Sequence, residues 1–141
     1  MGYTHYFNHS KVTDKTWNKI LKDCKKLYKN MPGYTNSAGG YYFEKPLQLA
    51  GWDGTGEPEF NRDTIRFNGK GPELDHETFC LKRKGSGDFC KTARKPYDLM
   101  VCACLLVYQY HSPNTISLGS DGNQEDWKES KQFISDILGV E

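Results

Sequence analysis

The clearest chemical signal in this sequence is a set of polar residues directly before a proline. Three cations and one hydroxyl make up the set: Lys91, Thr92, Arg94 and Lys95. Pro96 favours the first turn of a helix, where unpaired backbone N–H groups carry a partial positive charge. Such an end, with added cations, predicts a site for phosphate, pyrophosphate or a carboxylate. The open alternative is that nearby acids, Asp98 first among them, neutralise the cluster without any ligand.

The segment from Phe67 to Phe79 contains a second polar cluster, in which Asn68, His76 and Glu77 are candidate ligand-binding residues. In a strand, His76 would point away from the acids on either side of it. His76 and Thr78 form a His-x-Thr fragment like one half of a two-histidine phosphodiesterase, but the chain has no second copy. His76 is therefore the candidate catalytic acid or base if the protein is an enzyme, and could pair with His5. A structural hydrogen bond is the alternative.

Residues near both ends of the chain are candidates for contacts with a base or a ribose. The N-terminal YTHYF places Tyr3, His5 and Tyr6 close together, and aromatic faces suit a nucleobase. Packing into the core is the competing interpretation. Near the other end, Ser120 and Asp121 can contact a ribose hydroxyl or a second phosphate, although a helix cap explains them equally well.

The five cysteines do not form a recognisable metal or disulfide pattern. Their odd number and their positions in apolar runs suit a reducing compartment. Cys102 and Cys104 lie two residues apart in a predicted helix and so do not share a face. Cys90, beside Lys91, could be a thiol of low pKa, but no histidine or acid is tied to it by sequence. We predict neither a metal nor a cofactor.

The elements that must position these residues follow from apolar periodicity and capping signals. A helix is predicted from Thr13 or Asp14 to about Asn30, and an apolar one from Pro96 to about His111. A last helix is predicted to start at a cap among residues 120–123 and to end at Gly139. Strands are predicted at residues 2–7, within 41–52, and at 64–67, 76–81, 88–90 and 115–118. The order predicts an α+β fold, one domain over residues 1–141, with a small, mostly antiparallel sheet packed with three helices.

Length and charge exclude several classes of protein. The chain has 141 residues, a size typical of one domain, and a formal charge of +1, which argues against binding to duplex nucleic acid. The longest apolar run, Leu99 to Val107, is far shorter than the roughly 20 residues that cross a bilayer. The start, MGYTHY, lacks the regions of a secretion signal. We therefore expect a cytoplasmic protein without a membrane segment.

Several segments resemble a family of small phage, prophage and bacterial proteins of uncharacterised function, which includes a member from T-even phages. The resemblance rests on MGYTHYF, on Phe67-Asn68-Gly69, on HETF from His76, on FCKTARKPYD from Phe89, on Ser120-Asp121-Gly122 and on Trp127. It implies a small phage-linked protein with a polar, charged pocket. Proteins of this size and character are similar in type to those with which phages sequester or cleave the nucleotide signals of bacterial immune enzymes.

Three functions follow as hypotheses from these residues and the resemblance. The first is an anti-defence protein, in the host cytoplasm if phage-encoded, that sequesters a cyclic or modified ADP-ribose and forms a homo-oligomer. The second is a metal-independent phosphodiesterase that cleaves a cyclic nucleotide or dinucleotide. The third is a protein-interaction module that inhibits a host enzyme. Whether the protein is an enzyme stays open at this point.

Overall fold

The computed structural model describes residues 4–31, 47–93, 95–122 and 127–139. Within these residues the chain forms three helices and antiparallel sheets, which confirms the predicted α+β class. The helices are α1 (Asp14–Lys29), α2 (Asp98–His111) and α3 (Lys128–Leu138). The strands are β1 (Thr4–Ser10), β2 (Leu49–Ala50), β3 (Glu59–Phe60), β4 (Thr64–Gly69), β5 (Phe79–Lys82), β6 (Gly85–Lys91) and β7 (Ile116–Ser120). Tyr3, Arg94 and Asn123 lie outside the described residues, as does the first half of the 41–52 segment.

The first sheet has three strands in the order β6-β1-β7, all antiparallel. Side chains of β1 alternate between the two faces, so that His5, Phe7 and His9 are buried while Tyr6 and Asn8 are exposed. One face of this sheet therefore covers the core and the other meets solvent, as is common for antiparallel sheets.

The second sheet is built around β4, which pairs with β2, β3 and β5. Its aromatic side chains join the same core as the first sheet. The ring of Phe79 in β5 lies 5.6 Å from that of Phe7 in β1 and 5.2 Å from that of Phe67 in β4. The sequence predicted one sheet, and the structure has two that share their packing.

Helix α2 occupies the middle of the helical layer, because α1 and α3 both contact it. It is apolar on nearly every side, and its residues from Asp98 to Leu105 are buried. Helix α1 is amphipathic, and the hydroxyl oxygen of its N-cap, Thr13, accepts a hydrogen bond from the Thr16 N–H at 3.2 Å. Helix α3 ends at Gly139 in the left-handed conformation, as predicted. No helix in the described part of the chain is long and apolar enough to cross a membrane.

Three predicted boundaries are wrong, and each error moves a candidate residue. Strand β4 continues through Asn68 and Gly69 instead of ending there, because both residues pair with β2. His76 lies in a loop before β5 and not in a strand. Helix α3 begins at Lys128, so Ser120 ends strand β7 and neither it nor Asp121 caps α3.

Candidate functional site

The solvent-exposed face of the first sheet carries two aromatic side chains side by side. Tyr6 in β1 and Phe89 in β6 are directly opposite in register, and their ring centroids are 6.4 Å apart. Tyr6 is 48% exposed and Phe89 is 52% exposed, which is unusual for large side chains of this kind. On the other side of Tyr6, its partner in β7 is Gly119, which has no side chain. The neighbouring strand therefore leaves the Tyr6 ring open.

Lys91 belongs to the same face as the aromatic pair. It follows Phe89 by two residues in β6, so strand alternation directs both side chains to one side of the sheet, and both are exposed. Cys90, between them, is buried. The Lys91 backbone N–H donates to the Glu77 carboxylate at 2.9 Å, which fixes the end of β6. Glu77 thus has a structural role beside this face.

A surface cavity of about 350 Å³ adjoins the aromatic pair. Its polar lining comes from Asn8, Asp88 and Ser117, and Tyr6 and Gly119 also line it. The Asn8 amide and the Ser117 hydroxyl, on the same face as Tyr6, are partners that hydroxyl and amino groups of a ligand require. Together the pair, Lys91 and this cavity make up what we call the sheet-face site.

A buried polar network lies beneath the sheet, on the face opposite to Tyr6. His5 Nε2 lies 2.5 Å from Asp98 Oδ1, and His5 Nδ1 lies 2.8 Å from Ser120 Oγ. The Thr92 hydroxyl donates to Asp98 Oδ1 at 2.6 Å, and the Cys102 thiol donates to Asp98 Oδ2 at 3.4 Å. His5, Thr92, Asp98 and Cys102 are fully buried. This network joins β1, the end of β6, β7 and the first turn of α2.

The sequence predicted free N–H groups for an anion at the N-terminus of α2. The structure does not show them there. The N–H groups of Asp98, Leu99 and Met100 donate to the carbonyls of residues 95–97 at 2.9 to 3.2 Å. Asp98 places its own carboxylate in the first turn, where negative charge interacts favourably with the helix dipole. Thr92 points inward to that carboxylate and not toward solvent. The observed geometry matches the alternative in which Asp98 neutralises the N-terminus of α2 without a ligand.

Lys91 and Lys95, two cations of the predicted cluster, lie in different places in the structure. Lys95 Nζ donates to the backbone carbonyl of Glu73 at 2.9 Å, which ties it to the loop before β5. Lys91 lies on the sheet face instead. Arg94 is outside the described residues.

Asn68 and His76 form a hydrogen-bonded clamp that is made through the histidine backbone. The buried Asn68 amide accepts from the His76 N–H at 3.0 Å and donates to the His76 carbonyl at 2.8 Å. The His76 side chain is exposed, whereas His5 is fully buried in its own network. The structure therefore gives no support to an acid/base pair made of the two histidines.

Ser120 and Asp121 hold the N-terminal strand in place. The Asp121 carboxylate accepts from the Thr4 N–H at 3.2 Å, and the Thr4 carbonyl accepts from the Asp121 N–H at 2.9 Å. Ser120 is half-buried and also lines a second cavity of about 440 Å³ between β7, α2 and α3. Trp127 and Lys131 line the same cavity.

Cys90 is not a thiol of low pKa, contrary to the possibility raised by its neighbour Lys91. Burial raises the pKa of the Cys90 thiol far above its ordinary value, because an apolar environment disfavours the thiolate. Burial likewise raises the pKa of Tyr97, whose hydroxyl donates to the Glu77 carbonyl at 2.5 Å. Neither group is prepared for nucleophilic or acid/base chemistry.

Among the described residues, one group of three side chains could hold a metal ion: His5, Asp98 and Cys102. Their potential ligand atoms all lie within 4.8 Å of one another. Sequence reasoning tested Cys102 only with Cys104 and so missed this group. Asp98 and Cys102 are four residues apart, a helical spacing that places both on one face. His5 comes from a distant strand that only the fold brings near.

Comparisons of this chain with protein-family models, with curated proteins and with solved structures gave no significant match. The resemblance to the phage-linked family accordingly remains a prediction. The function must be argued from the geometry of the chain itself.

Proposed function

We propose that the protein binds and sequesters a small nucleotide, with an ADP-ribose derivative as the first candidate, at the sheet-face site. The observation that carries the proposal is the exposed Tyr6–Phe89 pair with Lys91 on the same face. Every nucleobase has a π face, and stacking on aromatic side chains is the general way in which proteins hold an unpaired base. The lysine ammonium supplies a compact positive charge for a phosphate.

The dimensions and chemistry of the adjoining cavity support a ligand larger than a base. Its volume of about 350 Å³ falls within the usual range for small-molecule sites. Asn8 and Ser117 are opposite in register on the same face as Tyr6, and they offer donors and acceptors for ribose hydroxyls. A nucleotide lying along the face would stack its base on the aromatic pair and turn its sugar toward this cavity.

The buried polar network beneath the sheet-face site supports binding of a ligand more than its chemical turnover. The His5 ring is fully buried and its nitrogens face Asp98 and Ser120, so it does not reach the exposed face. The outward residues Tyr6, Phe89 and Lys91 include no histidine, the side chain that most often acts as a general acid or base. The geometry therefore favours sequestration over the phosphodiesterase alternative.

Calorimetric titration with ADP-ribose, cyclic ADP-ribose isomers and AMP tests this proposal. We expect Tyr6→Ala to weaken binding by about 1–3 kcal/mol, which is the usual value of one stacking contact and corresponds to roughly 5- to 150-fold in Kd. Lys91→Gln should also weaken binding, because each of these ligands carries phosphate. The matched controls are Tyr110→Ala, since Tyr110 is 58% exposed on α2, and Lys84→Gln in the turn before β6. Neither control should change Kd.

The fate of the ligand separates the candidate functions. A sequestering protein returns the ligand intact after heat denaturation, whereas an enzyme returns a new species. If no nucleotide binds more tightly than millimolar, the proposal fails. In that case the exposed aromatic pair would instead indicate a protein partner, to be sought as a stable complex that Tyr6→Ala abolishes.

A further inference from the structure

A proton or a metal ion must lie between His5 Nε2 and Asp98 Oδ1. In one tautomer neutral His5 supplies that proton, since Nε2–H donates to Asp98 and Nδ1 accepts from the Ser120 hydroxyl. A neutral imidazole has one N–H, and a carboxylate has acceptors only. If His5 Nδ1–H donates to Ser120 Oγ, then the Nε2 lone pair faces a carboxylate oxygen 2.5 Å away. Two lone pairs at that distance repel each other unless a cation lies between them. The cation can be a proton or a metal ion.

The position of Cys102 distinguishes this contact from an ordinary histidine–carboxylate pair. Its Sγ lies 3.4 Å from His5 Nε2 and 3.4 Å from Asp98 Oδ2, so the three potential ligand atoms surround one point. All three side chains are fully buried. A thiolate, a carboxylate and a neutral imidazole around a divalent ion give a net charge of zero, which is the charge that a buried site tolerates best.

The potential ligands His5 and Asp98 are held by further hydrogen bonds, as ligands of metal sites usually are. Histidines that bind metals usually donate their other N–H to an oxygen, which fixes the tautomer, and Ser120 Oγ occupies that position for His5. Binding carboxylates are held by further hydrogen bonds in the same way, and the Thr92 hydroxyl holds Asp98.

We propose that His5, Asp98 and Cys102 bind a zinc ion in the interior of the protein. This inference is independent of the proposed nucleotide site on the other face of the sheet. Imidazole, thiolate and carboxylate are the three ligand types of protein zinc sites, and these three side chains leave the fourth tetrahedral position to a water molecule. Zinc enters as the chain folds, since binding at such sites is coupled to folding.

Binding of zinc exchanges protons for the metal. The Cys102 thiol loses its proton, His5 binds through Nε2 with a proton on Nδ1, and Zn²⁺ balances the negative charges of the thiolate and of the Asp98 carboxylate. Zinc–ligand distances of about 2.1 Å to nitrogen or oxygen and 2.3 Å to sulfur, at tetrahedral angles, give ligand separations of roughly 3.4 to 3.6 Å. The two sulfur separations already have this length. The His5–Asp98 separation must widen by about 0.9 Å from its proton-bridged value for such geometry.

Metal content and cobalt spectroscopy on the full chain test the site. Protein unfolded in EDTA is refolded with ZnCl₂ or CoCl₂ and passed through a desalting column. We expect about one metal per chain, release of protons as zinc binds, and a near-ultraviolet thiolate-to-cobalt band. X-ray absorption at the zinc edge should show one sulfur ligand among nitrogen and oxygen ligands.

Matched cysteine variants assign the ligand. Cys102→Ala should lose the cobalt band and the bound metal, whereas Cys104→Ala, which removes another buried thiol from the same helix, should keep both. Ser120→Ala should weaken zinc binding by roughly 10–100-fold, the usual effect of removing a partner in the second layer. If Cys102→Ala does not fold, the Ser120→Ala affinity and the wild-type absorption spectrum decide. Absence of retained metal in the refolded wild type, or an undiminished band in Cys102→Ala, would overturn the proposal and assign the contact to a shared proton.

Discussion

At the scale of single residues, His9 is a buried histidine with only one of its two nitrogens satisfied. Nε2 donates to the Lys82 carbonyl at 2.8 Å, while Nδ1 has no hydrogen-bond partner among the described residues. Burial lowers the pKa of His9, against the smaller opposing effects of the Lys82 carbonyl and of Asp88. The folded protein therefore favours the neutral form of this side chain.

This lowered pKa predicts a loss of stability in mild acid. Below about pH 6.5 the unfolded chain takes up a proton that folded His9 resists, so the free energy of unfolding falls until the pH reaches the folded pKa. Thermal melts between about pH 8 and pH 5 should show this fall in the wild type and a smaller one in His9→Gln. His76→Gln, at an exposed histidine, is the control and should melt like the wild type at each pH. A His9→Gln variant with an unchanged pH profile would contradict the assignment.

Sequence reasoning at this scale identified side-chain types well and their surroundings poorly. Tyr6 and Lys91 were named as stacking and phosphate-binding candidates, and both are exposed on one sheet face. Phe89 was missed, because its place beside Tyr6 depends on the register between β1 and β6. His5 and Thr92 were named as ligand contacts, yet both are fully buried and bond to Asp98. Residue type indicates possible chemistry, but burial decides whether a ligand can reach it.

At the scale of elements, the connection between β5 and β6 depends on a glycine. Gly85 has φ +86°, and an added Cβ would lie 2.6 Å from the backbone carbon of Ser10 and 2.7 Å from the His9 carbonyl oxygen. Backbone cannot yield as a flexible side chain can. The close approach of β1 to the start of β6 therefore requires glycine here.

Substitution of this glycine should weaken the first sheet. We expect Gly85→Ala to lower the free energy of unfolding in urea by more than the about 1–3 kcal/mol of left-handed backbone strain alone, because the clash adds to it. Gly56→Ala is the matched control, since Gly56 has φ +72° and an added Cβ there would meet nothing within 4 Å. It should show the strain without the clash. Equal losses in the two variants would mean that β1 moves aside at little cost.

The helices were predictable and several strands were not, for a physical reason. Helix α1 has a strong apolar stripe and the Thr13 cap, so both of its ends could be predicted to within about a residue. Strands β2 and β3 have two residues each and carry no periodicity that could reveal them. The start of α3 was placed too early because Ser120 and Asp121 are good caps by type, although β7 extends to Ser120 by pairing with β1.

At the scale of the whole molecule, the two sheets unfold as one unit if their shared core holds them together. Phe79 is fully buried and its ring neighbours Phe7 in the first sheet and Phe67 in the second. Helix α2 packs at the centre of the helices, and Ser130 of α3 donates to the Leu99 carbonyl within it at 3.1 Å. Within the described residues, every large element is thus connected to a single core.

A phenylalanine pair tests this cooperativity. Phe79→Ala should lower the free energy of unfolding by about 3–5 kcal/mol, because it leaves a cavity where the two sheets meet. Phe89→Ala, on the exposed face, should change stability by no more than about 0.5 kcal/mol while it weakens nucleotide binding. Tryptophan fluorescence and far-ultraviolet circular dichroism should give coincident denaturant transitions in the wild type and in both variants. Separated transitions in Phe79→Ala would show that the sheets can unfold independently, and the sheet-face site would then rest on the first sheet alone.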